Sequence, residues 1–119
     1  MTHCPLCKEP LAVATFACHG CKTEYSGDFV LPRLARLGKE ERDLAEALIL
    51  HGGNLKEMAQ ALEVSYPTLK KRLSALSLSL QALKQSDEAE IEQVLTAMEE
   101  GRMSAKEGVK KIREINGEL

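Results

Sequence analysis

Four cysteines near the start of the chain form two CxxC pairs, Cys4/Cys7 and Cys18/Cys21. Two thiols that are two residues apart can hold one metal ion from a tight turn, and a second pair on a facing turn completes a tetrahedral set. The spacing therefore predicts one structural zinc ion in a zinc ribbon. Because four thiolates fill the coordination shell and leave no position for water, catalysis at this metal is not expected.

Other uses of the four thiols remain open. Iron would fit the same set, because ligation by sulfur alone does not separate the two metals. Disulfides are disfavoured, since no secretory signal precedes the pairs and thiols in a reducing cytoplasm more often bind metal. A redox CxxC would need a following βαβ pattern, which the sequence lacks. His3 or His19 could replace one thiolate, although both are expected to be exposed turn residues.

The elements that would position these cysteines are two short strands, at about residues 11–16 and 23–30, with Pro32 closing the ribbon. A segment of about 30 residues cannot bury enough apolar surface to fold unaided. Zinc would supply the missing stability, about 10–16 kcal/mol in zinc-finger peptides. The ribbon is therefore expected to depend on its metal.

The rest of the chain is predicted to be helical. One helix should span residues 39–51 and end at a Gly-Gly pair, and a second should start after Asn54. After a three-residue turn, a third helix should start after Ser65 and run to about residue 84. The expected fold class is mainly α with a small β zinc ribbon, in which a helix-turn-helix core is followed by a C-terminal helical hairpin.

Basic and polar residues occupy the first turns of the predicted third helix. In a helix-turn-helix, this part of the second helix of the motif enters the major groove of double-stranded DNA and faces phosphates and base edges. Arg72 is at the edge of the apolar seam, so its stem could instead pack there. The candidate DNA contacts are Ser65, Tyr66, Thr68, Lys70, Lys71, Arg72 and Ser74.

The third helix also carries a leucine seam with 4-3-4-3 spacing, from Leu69 to Leu83, that is longer than a three-helix core requires. On the opposite side, Ala75, Leu78 and Ala82 are apolar. A helix that is apolar on both sides is expected to be covered on both sides. These three residues are the candidate interface of a homodimer, and the alternative is that the C-terminal hairpin of the same chain covers them.

The last 34 residues are predicted to be an acidic helical hairpin. Ser86 and Asp87 suggest a helix break, and Gly101 and Ser104 suggest the turn between two further helices. Residues 1–85 carry eleven Lys and Arg against nine Asp and Glu, whereas residues 86–119 carry five against nine. The predicted units are 1–32, zinc ribbon; 33–38, connector; 39–85, helix-turn-helix with an extended third helix; and 86–119, acidic hairpin.

The helix-turn-helix region resembles the Fis-type motif, which ends many bacterial enhancer-binding regulators and works as a homodimer on DNA. The resemblance rests on Gly53-Asn54, Ala59, Leu62, Val64-Ser65, Thr68-Leu69, Lys71, Leu73 and Leu76. Glu63 departs from it, because glycine is common at this position, where φ is positive.

The whole arrangement also resembles an uncharacterised bacterial family, a domain of unknown function. Its members join a CPxC ribbon to an LPRLARL linker and an SYPT turn, here residues 31–37 and 65–68. Residues 86–115 resemble the SHOCT-like hairpin, whose Gly-x-Ile/Met-Ser turn is matched by residues 101–104. These resemblances imply a transcriptional regulator.

Two classes of function fit these patterns. The first is a cytoplasmic DNA-binding transcriptional regulator, and the second is a protein-interaction adaptor, for example with RNA polymerase, that uses the ribbon and the C-terminal hairpin. An enzyme is not expected, because the sequence contains no Ser/His/Asp or Cys/His set, no phosphate-binding glycine loop and no HExxH. A membrane span is not expected either, since no run of eighteen apolar residues occurs.

Overall fold

The computed structural model describes residues 2–118. Its elements are the strands Val13–Ala17 (β1) and Glu24–Phe29 (β2), a 3-10 helix at Arg33–Arg36, and the helices Lys39–Leu50 (α1), Leu55–Ala61 (α2), Tyr66–Glu99 (α3) and Ala105–Ile115 (α4). The expected fold class, mainly α with a small antiparallel ribbon, is confirmed. No helix within residues 2–118 is long and apolar enough to cross a membrane.

The ribbon is a two-stranded antiparallel hairpin with very little core. Thr15 pairs with Ser26 and Phe16 with Tyr25, and a bulge interrupts the register between Val13 and Thr15. The Phe16 and Phe29 rings meet edge to face with their centroids 4.9 Å apart. An isolated two-stranded hairpin is marginally stable in water, so this ribbon needs a further source of stability.

Helices α1, α2 and the start of α3 enclose the main apolar core. Met58 and Leu69 are completely buried at its centre. The partly buried residues packed against this centre are Leu44, Ala47, Leu48, Leu55, Val64 and Leu73. A single apolar stripe made of Leu44, Leu48 and Ile49, which the sequence of α1 suggests, does not form, because Ile49 is 73% exposed. Ile49 is about 140° around the helix from Leu44, which places it on the opposite side.

Helix α3 is continuous over 34 residues, so the predicted break at Ser86 and Asp87 is wrong. The predicted boundary between residues 85 and 86 lies inside this helix. Asp87 favours a cap when its carboxylate competes for backbone N–H groups. Here the carboxylate accepts hydrogen bonds from Arg33 Nε at 3.1 Å and from Arg36 Nη2 at 2.5 Å instead. The segment contains no Gly or Pro that would end the helix.

The two arginines and Asp87 form a buried clasp between the linker and α3. Asp87 is only 3% exposed and is the one charged residue in the buried set of residues 2–118. A buried carboxylate needs paired charges and hydrogen bonds to offset its desolvation. The clasp therefore fixes the connector that follows the ribbon to the middle of the long helix.

The far end of α3 and α4 form the predicted hairpin, and the turn between them contains Gly101 with φ 75°. Ser104 caps α4 by accepting a hydrogen bond from the Glu107 N–H. The acidic character belongs to one of the two helices: Glu88, Glu90 and Glu92 lie on α3, whereas α4 carries an excess of basic residues.

Gly108 allows α4 to approach α3 closely, because a Cβ on this residue would lie 2.7 Å from Met98 Cγ. We expect Gly108→Ala to lower the free energy of unfolding by up to about 2 kcal/mol. Overpacking typically costs about 1–3 kcal/mol, and alanine regains at most about 1 kcal/mol of helix propensity. Denaturant titration measures the change. The same substitution in a Met98→Ala background is the control and should stabilise, and destabilisation in both backgrounds would contradict this account.

Glu63 has the positive φ that the sequence predicts, 56°, although it is not glycine. We expect Glu63→Gly to raise the free energy of unfolding by about 0.4–1 kcal/mol, because glycine adopts this conformation without the steric cost of a Cβ. A shift of the urea midpoint measures the effect. Glu57→Gly, inside α2, is the matched control and should destabilise. An unchanged or lower midpoint for Glu63→Gly would count against strain at this turn.

Candidate metal centre and nucleic-acid interface

The two CxxC turns have the same backbone geometry. The Lys8 N–H donates a hydrogen bond to the Cys4 carbonyl at 2.9 Å, and the Lys22 N–H donates to the Cys18 carbonyl at 2.8 Å. The residue after each second cysteine is left-handed, with φ of 67° at Lys8 and 65° at Lys22. The two segments share the pattern Cys-x-x-Cys-Lys and form one kind of turn, which is expected if both serve the same ligand.

Hydrogen bonds to the sulfur atoms favour thiolates, the form that binds metal. The pKa of Cys4 is lowered, chiefly by the backbone N–H of Cys7 and then by that of Leu6. The pKa of Cys21 is lowered to about 7. The main cause is the Thr23 hydroxyl, which hydrogen-bonds the Cys21 sulfur at 3.1 Å.

The structure brings the four predicted ligands together two by two. Cys4 lies beside Cys7, and Cys18 lies beside Cys21. Within residues 2–118, however, no three Cys, His, Asp or Glu side chains are close enough to form one ligand set. His3 and His19 are exposed, as expected. The donor chemistry and the two matching turns fit zinc, and zinc bound by all four sulfurs would supply a crosslink between the turns.

The helix-turn-helix is built by local capping interactions. The Asn54 side chain accepts a hydrogen bond from the Glu57 N–H and starts α2. Ser65 accepts one from the Thr68 N–H at 3.3 Å and starts α3, with Pro67 in the first turn. Glu63 turns the chain between the two helices. All three features were predicted from the sequence.

The candidate DNA contacts all lie on the surface of the first turns of α3, and all seven are exposed. Lys70 Nζ lies 5.7 Å from the centre of the Tyr66 ring, a cation–π distance that restrains this lysine. Arg72 differs from the others, because it lines a groove between α1 and α3 together with Glu40 and Glu41. Arg72 therefore shares this groove with two acidic residues of its own chain.

The candidate dimer residues Ala75, Leu78 and Ala82 are also exposed, Leu78 to 66%. The C-terminal hairpin does not cover this face. It packs instead on the other side of α3, where Val94 and Ala97 are buried. The alternative of a contact within the chain is therefore wrong, while the dimer itself stays a prediction.

Sequence reasoning missed a second exposed apolar surface. Leu34 of the linker and Ile49 and Leu50 of α1 are 55%, 73% and 76% exposed. They line a shallow cleft of about 350 Å³ whose remaining apolar residues are Ala35, Leu37 and Ala45. A helical projection of α1 would have revealed it, because two apolar stripes on opposite sides of one helix are the signal.

Comparison with known families gives a match to two segments of the chain. The DUF2089 zinc ribbon matches residues 4–35, and the helix-turn-helix described as domain of unknown function (DUF2089)-HTH matches residues 37–83. The chain is therefore similar to the zinc ribbon and to the helix-turn-helix domain of that family over these two segments. Neither match extends beyond residue 83, so the SHOCT-like resemblance stays a prediction. No curated protein and no solved structure matches the chain.

Proposed function

We propose that this protein is a transcriptional regulator that binds double-stranded DNA through the start of α3 and carries one structural zinc ion in its ribbon. It acts as a binding protein rather than an enzyme. The observation that carries the proposal is the exposed, capped start of α3, with Lys70 and Lys71 on a helix whose opposite side is anchored by buried Leu69. The family match to a helix-turn-helix over the same residues supports it.

The exposed groups divide naturally between two tasks. Lys70 and Lys71 neutralise phosphates, and the Thr68 and Ser74 hydroxyls lie where base edges or phosphates would be. Arg72 contributes less than the lysines, because Glu40 and Glu41 share its groove. Since the whole chain has a net charge of −2, binding depends on this local basic surface rather than on overall charge.

The test is a pull-down of genomic DNA fragments followed by sequencing, with the zinc-loaded full chain. We expect specific enrichment for the wild type and its loss in Lys70→Glu/Lys71→Glu. Lys110→Glu/Lys111→Glu makes the same charge change on exposed residues of α4 and should retain binding. The affinity for DNA should fall as the salt concentration rises. A plot of the logarithm of the binding constant against the logarithm of the salt concentration should have a slope of about −0.9 for each phosphate contact. Undiminished binding by the Lys70/Lys71 variant would remove this helix as the DNA surface.

A second candidate is a protein-interaction adaptor, which the uncovered outer face of α3 around Leu78 favours. In that case, the ribbon, the acidic part of α3 and Leu78 contact another protein such as RNA polymerase, and the helix-turn-helix acts as a scaffold. A wild-type chain that enriches no DNA but captures a protein through Leu78 would favour the adaptor.

A further inference from the structure

We propose that Thr23 is a positioning residue of the metal centre: its hydroxyl donates a hydrogen bond to the Cys21 thiolate and holds that sulfur in place for zinc. Side chains that lie outside the ligand set but orient a ligand contribute strongly to the affinity of a site for its metal. The inference rests on the zinc ion of the proposed function and is independent of DNA binding.

The first argument is the contact between the hydroxyl and the sulfur. Thr23 Oγ1 lies 3.1 Å from Cys21 Sγ, within hydrogen-bonding distance. A thiolate, the form of cysteine that binds metal, has no proton to give, so the hydroxyl is the donor in that form. A hydrogen bond to a charged acceptor is stronger than one between neutral groups. The contact therefore restrains the Cys21 side chain and keeps its sulfur in one position.

The second argument comes from the other CxxC turn, which has the same backbone without this hydroxyl. The Cys4 N–H donates to the Glu9 carbonyl at 2.8 Å, and the Cys18 N–H donates to the Thr23 carbonyl at 2.8 Å. Glu9 and Thr23 thus occupy equivalent positions in the two turns. Because the turn with Glu9 has the same form, the hydroxyl is not needed to fold the turn. Its contact with a sulfur atom points instead to a role at the metal.

The third argument is that the backbone around Thr23 is fixed. The Thr23 carbonyl is paired with Cys18, and strand β2 begins at the next residue, Glu24. On the other side, the Lys22 N–H is paired with the Cys18 carbonyl. A β-branched side chain has few rotamers. The hydroxyl is therefore presented to the sulfur with little loss of conformational freedom.

The two halves of the metal centre are consequently unequal. An ionised carboxylate only accepts hydrogen bonds, so Glu9 does not support the sulfur of Cys7 in the way that Thr23 supports that of Cys21. A hydrogen bond also withdraws electron density from a thiolate and makes it a weaker nucleophile. We therefore expect Thr23 to slow the reaction of the Cys21 sulfur with an alkylating reagent.

The first test measures the zinc affinity of the full chain by competition with a chromophoric chelator. Thr23→Val keeps the branched shape but removes the hydroxyl, and it should weaken zinc binding about 10-fold. This value is at the lower end of the range of about 10–100-fold for such residues, because Thr23 is exposed and water competes for its hydroxyl. Thr23→Ser retains a hydroxyl and should keep most of the wild-type affinity.

Thr15→Val is the matched control for the loss of a threonine hydroxyl. Thr15 also forms an exposed hydrogen bond within the hairpin, but to Ser26 Oγ at 3.2 Å rather than to a sulfur atom. This variant should bind zinc like the wild type. Circular dichroism verifies that each zinc-loaded variant is folded. Equal weakening by Thr15→Val and Thr23→Val would show that hairpin stability alone sets the affinity, which would overturn the inference.

A second measurement follows the sulfur itself. The zinc-saturated chain is treated with N-ethylmaleimide, and mass spectrometry compares the alkylation rates of Cys21 and Cys7, both of which are exposed. The rate at Cys21 relative to Cys7 should rise in Thr23→Val and return towards the wild-type ratio in Thr23→Ser. A merely structural effect on the ribbon would accelerate both cysteines together, and that result would count against a bond to Cys21.

The outcomes separate this inference from the proposed function. A wild type that binds one zinc ion, together with a Thr23→Val variant of equal affinity, overturns the inference and leaves the zinc centre standing. A wild type that binds no zinc overturns both. If the Thr23 results hold but the wild type enriches no DNA, the inference is supported and DNA binding alone is overturned.

Discussion

Asp87→Ala should lower the free energy of unfolding by about 3 kcal/mol. Breaking a buried ion pair costs about 3–5 kcal/mol because the remaining charge is left without a partner. Here two guanidinium groups, those of Arg33 and Arg36, would lose their shared carboxylate. We expect a loss at the lower end of this range because both arginines are partly exposed. In addition, alanine has a higher helix propensity than aspartate, by several tenths of a kcal/mol, which offsets part of the loss. Denaturant titration of the zinc-loaded chain measures the loss.

Asp43→Ala provides the matched control for this experiment. Asp43 also forms a short ion pair, with Lys39 at 2.6 Å, but both side chains are largely exposed. Exposed pairs contribute about 0.2–1 kcal/mol, so the control should lose much less than Asp87→Ala. Equal losses for the two variants would show that the clasp contributes no more than a surface pair. Hydrogen exchange should also show faster opening of the linker in the Asp87 variant only.

Cys18→Ser should abolish stable metal binding and unfold the ribbon while the helices remain folded. A structural zinc ion contributes about 10–16 kcal/mol in zinc-finger peptides, and the hairpin has almost no core of its own to replace it. Native mass spectrometry should find one zinc ion in the wild type and none in the variant. Hydrogen exchange should show lost protection over β1 and β2, with α1 to α4 unchanged.

His19→Ala is the control for the metal site, because His19 is exposed and adjacent to Cys18. If the four thiolates are the ligands, this variant binds one zinc ion like the wild type. Loss of metal from His19→Ala would identify a Cys3His site instead. A cooperative collapse of ribbon and helices in Cys18→Ser would show that the clasp at Asp87 couples the two parts, rather than holding only the connector.

The parts of the fold that could be predicted from sequence depend on near neighbours. Caps at Asn54, Ser65 and Ser104 and the positive φ at Glu63 each depend on residues within one turn, and all four were predicted correctly. The continuity of α3 was missed because the partners of Asp87 lie more than 50 residues away along the chain. The packing role of Gly108 was missed for the same reason, because the close approach that it allows is to Met98 on another helix.

At the candidate sites too, features set by neighbouring residues could be predicted, whereas features set by distant contacts could not. The CxxC spacing was sufficient to predict two turns aimed at a metal, and the backbone around Cys4 and Cys18 has that form. How closely the two turns approach each other depends on tertiary contacts, which no local pattern encodes. For DNA, the exposure of Lys70 and Lys71 followed from the helical period, whereas the groove that Arg72 shares with Glu40 and Glu41 depends on how α1 crosses α3.

Helix α3 is unbroken, so it connects the helix-turn-helix at its start rigidly to the C-terminal hairpin at its end. At about 1.5 Å per residue, Asp87 is about 32 Å along the axis from Tyr66. The linker is fastened at Asp87, so the chain leaves the ribbon and joins the helices far along α3 from the residues proposed to contact DNA. Loosening the clasp would therefore free the point at which the ribbon is attached to α3, without altering the residues proposed to contact DNA.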